Sequence, residues 1–283
     1  MTDQIVTPEL RDWIIEQAKA GCRPEAVVAS MCASGWAADV AEQALEATLS
    51  AYLGPGKPIE ALPPPVPVPE PDLRRSPCTV FALDRTVSVL MTLARPRVVV
   101  FGGLLSDAEC DAIMAEARPR LSRSETVDTD TGSSEINAAR TSRGMFFNRG
   151  ETEACARVEA RIAALLGWPL VNGEGLQVLH YLPGAEYKPH YDYFDPQQPG
   201  TASVLQRGGQ RVGTLVIYLN TPLRGGGTVF PDVGLSVAPI KGNAVFFAYD
   251  RPHPVTKSLH GGAPVEEGEK WVATKWLRER EFV

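Results

Sequence analysis

Only four histidines occur in the 283 residues, His180, His190, His253 and His260, and all lie in the C-terminal half. His190-Tyr191-Asp192 is the informative arrangement among them. On a strand, residues i and i+2 point to one face, so this imidazole and this carboxylate can reach a single metal ion. Two protein ligands make a poor site, and a third must come from elsewhere in the chain. Two imidazoles and one carboxylate on one side of a metal leave three positions open, as in non-haem iron(II) oxygenases. The third ligand is His253 or His260. His260 is followed ten residues later by Lys270, in the strand-like run Lys270-Trp271-Val272-Ala273-Thr274-Lys275-Trp276-Leu277. By parity Lys270, Val272, Thr274 and Trp276 share a face. A lysine in such company either snorkels at an edge or is a buried cation awaiting an anion. A dicarboxylate cosubstrate would supply that anion. Ten residues beyond His253 lies Ala263, which offers nothing. The spacing selects His260.

The elements that must position these residues are short strands. From about Leu176 onward, Leu176–Tyr181, Arg211–Leu219, Thr228–Phe230, Leu235–Ala238, Ala244–Ala248, Thr256–His260 and Lys270–Leu277 read as strands between Gly, Pro or Asn punctuation. This predicts a mainly β domain with flanking helices, built on a double-stranded β-helix or jelly-roll core. Upstream, Val98–Phe101 reads as a strand. Ser106-Asp107-Ala108-Glu109 forms a capping box, with Leu105 and Cys110 as its hydrophobic staple, and opens a helix to about Ala117. A second helix, about Thr152 to Leu166, stripes Cys155, Val158, Ile162 and Leu165 on one face and stops at Gly167. The polar stretch Asp128–Ala139 and the Gly/Gln-rich stretch Asp195–Gln210 are too long for tight turns and are expected to be mobile loops that close over substrate.

Residues 54–77 hold the densest proline in the chain, including Pro63-Pro64-Pro65-Val66-Pro67-Val68-Pro69-Glu70-Pro71. Such a run favours an extended spacer and predicts a linker between residues 1–53 and 78–283. Residues 1–53 carry three helical patterns. Thr7-Pro8 caps the first, whose face is Leu10, Trp13, Ile14 and Ala18, and Gly21 stops it. The second runs from Pro24 to Met31, and the third stripes Ala41, Ala44, Leu45, Thr48 and Leu49. The net charge of −6 argues against a dedicated nucleic-acid or anionic-membrane binder. No apolar stretch approaches the length needed to span a bilayer, and no secretory signal is visible, so a cytoplasmic protein is expected. Five cysteines, odd in number and never in a CxxC pattern, argue against a disulfide framework or structural zinc site and are expected to be mostly small buried hydrophobes.

The stretch His180-Tyr181-Leu182-Pro183-Gly184 through Tyr187-Lys188-Pro189-His190-Tyr191-Asp192 resembles the prolyl 4-hydroxylase family of 2-oxoglutarate/Fe(II) dioxygenases. So do Arg211-Val212-Gly213-Thr214-Leu215, Gly225-Gly226-Gly227-Thr228-Val229-Phe230-Pro231, Gly242-Asn243-Ala244-Val245-Phe246-Phe247 and Ser258-Leu259-His260-Gly261-Gly262 through Lys270-Trp271, with Arg140-Thr141-Ser142 upstream. The likeness spans about residues 97–280, in order. It implies iron on His190, Asp192 and His260, and Lys270 on the distal carboxylate of 2-oxoglutarate. Tyr181 and Thr228 would donate hydrogen bonds there, and Trp276 would wall the pocket. It implies Tyr187, Arg211 and Arg140 near the substrate. His180, where many relatives carry Arg, faces away from Tyr181 and is expected to pack behind the sheet. His253 is expected on a solvent-exposed loop. The cofactors implied are Fe(II), 2-oxoglutarate and O2, with ascorbate as reductant. The activity implied is hydroxylation of a prolyl residue in a peptide or protein, coupled to decarboxylation of 2-oxoglutarate to succinate. Free proline or another small molecule is the alternative substrate, and a non-catalytic scaffold the alternative class. Gly35-Trp36 with Ala41, Ala44 and Leu45 resembles the loop and third helix of ubiquitin-associated-type modules, which implies a protein-docking appendage. A packing or oligomerisation domain fits that segment equally.

Overall fold

The computed structural model describes residues 4, 6–19, 22, 24–53, 62–123, 126–127, 134–135 and 141–283. The chain divides into two compact units, Met1–Leu62 and Pro63–Val283.

The first unit is three helices, α1 Pro8–Lys19, α2 Pro24–Ala33 and α3 Ala38–Leu53. The Thr7 hydroxyl accepts from the Leu10 N–H at 3.3 Å, as its cap position predicts. Ile14, Val27, Met31, Ala41, Ala44 and Leu45 form its buried core, with Leu10, Trp13 and Trp36 packed around them. Gly21, the expected stop of α1, lies outside the described residues.

The second unit begins at Pro63 rather than at 78. Val66 donates its N–H to the Asp250 carbonyl at 2.8 Å, and Glu70 donates to the Leu166 carbonyl at 3.0 Å. Val68 and Leu73 pack on the apolar core, and Glu70 pairs with Arg97. The latter half of the proline-rich run is therefore an arm lying on the larger unit. Residues 54–61 of the expected linker lie outside the described residues.

Nine antiparallel strands form the main sheet. Their order is Thr79–Ala82, Arg85–Leu93, Arg97–Gly102, Ala244–Ala248, Arg211–Tyr218, Lys270–Arg278, Leu176–Tyr181, Arg143–Phe147 and Ser122–Arg123. A second sheet runs Leu235–Val237, Thr228–Phe230, His260–Gly262, Tyr187–His190. Alternation of side chains divides the main sheet into two faces. One packs Val99, Phe101, Leu215, Phe246, Trp271 and Ala273 against helices α4 Asp107–Ala117 and α5 Glu153–Leu166. The other turns Leu179, Tyr181, Tyr218, Phe247 and Val272 toward Phe230 and Val237 of the second sheet. Two antiparallel sheets closing on one apolar core is the jelly-roll arrangement expected.

The helix ends follow the local signals. Ser106 and Glu109 form the reciprocal capping box of α4, and Gly167 ends α5 in the left-handed region at φ 58°. Arg161 of α5, almost wholly buried, bridges Asp84 and Glu109 and thereby ties the hairpin turn to both helices.

Several expectations are corrected. The hairpin Thr79–Leu93 has no counterpart among the expected strands. Thr256 lies in a 3-10 turn, Pro254–Thr256, because Pro254 opens a turn that His253 caps, and the strand begins only at His260. The stretch 195–210 holds helix α6, Thr201–Gln206, and its base is clamped where Gln210 exchanges two 2.7 Å hydrogen bonds with the Phe194 backbone. Of the polar stretch 128–139 only Ser134–Glu135 is described, a two-residue strand paired antiparallel with Thr126–Val127; the rest lies outside the described residues. Of the cysteines, Cys110 and Cys155 are buried, but Cys22 and Cys78 are exposed. Among the described residues, no helix is long and apolar enough to cross a membrane.

Candidate metal and cosubstrate site

His190 and His260 come together because their strands pair antiparallel with these two residues directly opposite each other. Gly261 permits the approach. A Cβ there would stand 2.8 Å from the Tyr187 carbonyl oxygen and 3.1 Å from the Pro189 nitrogen. Asp192 lies just past the end of its strand, in a bend, so its reach to the same point is set by that bend and not by strand parity alone.

His190, Asp192 and His260 place one possible ligand atom each within 4.8 Å of one another. The His190 Nε2 stands 3.5 Å from Asp192 Oδ1, and the His260 Nε2 stands 3.4 Å from Asp192 Oδ2. The opposite ring nitrogen of each histidine faces a backbone carbonyl, His190 Nδ1 to Lys188 at 2.9 Å and His260 Nδ1 to Ser258 at 3.0 Å. A neutral imidazole that donates from Nδ1 directs the Nε2 lone pair inward, as a metal ligand must. Burial pushes the His260 pKa down to about 4, which keeps that ring neutral. Burial pushes the Asp192 carboxyl up, but the imidazoles of His260 and His190 and the Arg211 guanidinium hold it below the ordinary carboxylate range. One anionic oxygen donor and two neutral nitrogens fit a divalent first-row metal.

The Thr214 hydroxyl donates to Asp192 Oδ2 at 2.7 Å and lies 2.9 Å from the Tyr249 hydroxyl. Since the Thr214 proton goes to the carboxylate, the tyrosine is the donor in the second bond. Phe247 packs its ring 4.4 Å from that of His260.

Lys270 is buried opposite Tyr181 in the strand register. Its Nζ stands 5.3 Å from the Tyr181 ring centre and 6.0 Å from that of Tyr218. Burial alone pushes its pKa down to about 8. No carboxylate among the described residues pairs with it. The Tyr218 hydroxyl donates to Thr228 Oγ1 at 2.8 Å, which leaves the Thr228 proton for another acceptor. A buried cation with a threonine hydroxyl and two tyrosines close by is what an incoming carboxylate needs.

The remaining expected residues fall as follows. Tyr187 stacks on the His190 ring at 3.7 Å. Arg211 is held by a bidentate pair with Glu174, at 2.7 and 2.9 Å, and lies 4.1 Å over the Trp276 ring. Burial works against both charges, and their mutual pairing outweighs it, so Glu174 stays below and Arg211 above its ordinary range. Trp276 is buried across from Thr214. His180 packs on Trp271 at 4.2 Å and bonds Glu269 at 2.6 Å, away from the triad. His253 accepts the Val255 N–H as a cap. Arg140 lies outside the described residues. Thr214, Tyr218, Tyr249 and Glu174 were not anticipated. Parity could have found the first two, since Val212, Thr214, Val216 and Tyr218 share one face of a buried strand.

The profile of the "2OG-Fe(II) oxygenase superfamily" matches residues 176–278. Probable prolyl 4-hydroxylase 7 of Arabidopsis thaliana is 39% identical over 207 residues, 66% of this chain and 64% of that protein. Probable prolyl 4-hydroxylase 6 of the same plant is 40% identical over 223 residues, 71% of this chain and 75% of that protein. The crystal structure of a viral collagen prolyl hydroxylase from Paramecium Bursaria Chlorella virus-1, in its 2OG complex, is 30% identical with a TM-score of 0.49, covering 64% of this chain and 95% of that one. The chain belongs to the prolyl 4-hydroxylase family of 2OG-Fe(II) oxygenases.

Proposed function

We propose that this chain hydroxylates a prolyl residue in a peptide or protein, using Fe(II), O2 and 2-oxoglutarate. The observation that carries the reading is a three-donor metal cluster in one jelly-roll core with a buried Lys270 with which no carboxylate among the described residues pairs. His190, Asp192 and His260 would hold the iron. Bound with 2-oxoglutarate, iron(II) supplies the O2-activating chemistry that converts the oxo acid to succinate and CO2 and places one oxygen atom on the prolyl ring. Lys270 binds the far carboxylate of the cosubstrate, with Thr228 and Tyr181 donating to it. Thr214 and Tyr249 fix the Asp192 carboxylate, and the two backbone carbonyls fix the imidazole tautomers. Tyr187, against His190, forms the wall where the substrate enters, and Trp276 with Arg211 forms the wall behind Asp192. Ascorbate is the expected reductant for iron oxidised in uncoupled cycles. The three-helix unit is the expected docking module for a protein substrate.

The test is succinate release from 2-oxoglutarate with proline-containing peptides. Release should need Fe(II), rise with peptide, and leave the peptide one oxygen heavier at proline. Succinate release indifferent to every proline peptide, or full activity in His190→Ala, contradicts the proposal.

A further inference from the structure

The proline-rich arm is used by no part of the chemistry above. Its conformation is dictated locally. From Pro63 to Pro71 each residue is a proline, or directly precedes one, or both. Proline fixes its own φ, and the residue before it is driven to extended or polyproline backbone, so the run is extended without any sheet partner. No strand or helix is assigned across it. Its two ends differ. Pro69 and Pro71 are buried, and Pro69 packs where Gly213 lacks a side chain. Pro64, Pro65 and Pro67 are exposed, Pro67 between the anchored Val66 and Val68. Among the described residues, the first backbone hydrogen bond from the arm to the larger unit is that of Val66. Extended prolines dock on aromatic surfaces, and Tyr187 on His190 and the stacked pair Tyr191 and Tyr193 flank the metal cluster in the chain.

We propose that Pro64 and Pro65 are themselves hydroxylation sites, modified by the active site of a second copy of this chain. The inference rests on the prolyl hydroxylase reading above. A second copy is invoked because the arm is anchored on its own chain, Val66 to the Asp250 carbonyl and Val68 in the helix-side core. Pro64 and Pro65 lie within about 7 Å of Val66 along the chain, and that anchor limits their travel. In the step, one ring C–H bond becomes C–O–H. The C1–C2 bond of 2-oxoglutarate breaks, its C1 leaves as CO2, and C2 becomes the new carboxylate of succinate. Each atom of O2 thus ends in one product, and its four-electron reduction is shared between the prolyl carbon and the oxo acid. The arm is then both a competing substrate for the site and a record of its turnover.

The test mixes an isotopically heavy, inactive full-length acceptor with a small amount of light wild-type chain, Fe(II), 2-oxoglutarate and air. His190→Ala and, separately, Asp192→Asn serve as acceptors. Synthetic peptides of residues 62–72 and poly-L-proline run in parallel, with succinate as readout. The expected result is one added oxygen at Pro64 or Pro65 of the heavy acceptor, none at Pro69 or Pro71, and loss of the signal in Pro64→Ala/Pro65→Ala. Hydroxylated peptides with unmodified acceptors overturn the inference and leave the activity reading standing. Oxygen on the light chain alone overturns the intermolecular route. Equal oxygen at Pro69 and Pro71 overturns it as well, since only an unfolded arm offers them. Failure of peptides and acceptors together removes the activity reading and this inference with it.

Discussion

Lys270 is buried without a carboxylate partner among the described residues. Its ammonium is buried with tyrosine faces for company, and its pKa is pushed from 10.5 down to about 8. Below about pH 8 the buried charge costs stability in full. Between about pH 8 and 10.5 the folded chain has shed a proton that the unfolded chain keeps, so stability rises with pH across that window. Cosubstrate binding carries the opposite sign, because it needs the ammonium. The affinity for 2-oxoglutarate, measured by calorimetric titration, is expected to weaken as pH climbs through about 8. Lys270→Met should stabilise the cosubstrate-free protein by on the order of 2 kcal/mol near pH 7, and abolish the rise in Tm on adding 2-oxoglutarate. An unchanged rise in Tm sinks the assignment of Lys270. Thr214 makes a second case. Thr214→Val removes the donor to Asp192 and is expected to weaken metal binding by roughly 10- to 100-fold with the fold intact, as a competition titration with a chelating dye would read. These two residues differ in how visible they are from sequence. The isolated cation on an apolar face advertises Lys270. Thr214 looks like any β-branched strand residue until Asp192, distant in sequence, arrives beside it.

At the scale of elements, the site is a consequence of register. One pairing puts His260 opposite His190, and another puts Lys270 opposite Tyr181. Gly261→Ala is expected to push the first pair of strands apart, costing about 1–3 kcal/mol of stability and a larger share of metal affinity. A thermal melt and a metal titration on one sample separate the two effects. Elements with local grammar were legible. The α4 capping box, the α5 stripe ending at Gly167, and the strand Leu176–Tyr181 all lie where the sequence places them. The hairpin Thr79–Leu93 was not, because Phe81 and Leu90 are exposed and blur the alternation that marks a half-buried strand. Arg211 defied parity for a physical reason: a register irregularity between Arg211 and Gly213 turns its side chain toward Trp276 and Glu174.

For the whole molecule, the unit boundary at Pro63 makes a prediction that a boundary at 78 does not. A chain beginning at Pro63 should keep the Tm and metal affinity of the larger unit. One beginning at Cys78 loses Val68, Leu73 and the Glu70 partner of Arg97, and should be less stable by about 3 kcal/mol. Equal melting curves for the two contradict the packing of the arm. Composition did not show this, because proline density reports an extended backbone and is silent on what that backbone lies against.

The most direct measurement of the central claim is an anaerobic titration of Fe(II) into the protein with 2-oxoglutarate present, followed by visible absorption. Wild-type chain should develop a metal-to-ligand charge-transfer band that saturates at one iron per chain, and Asp192→Ala should not. No band in the wild type, or an equal band in Asp192→Ala, would contradict an iron and 2-oxoglutarate site at His190, Asp192, His260 and Lys270.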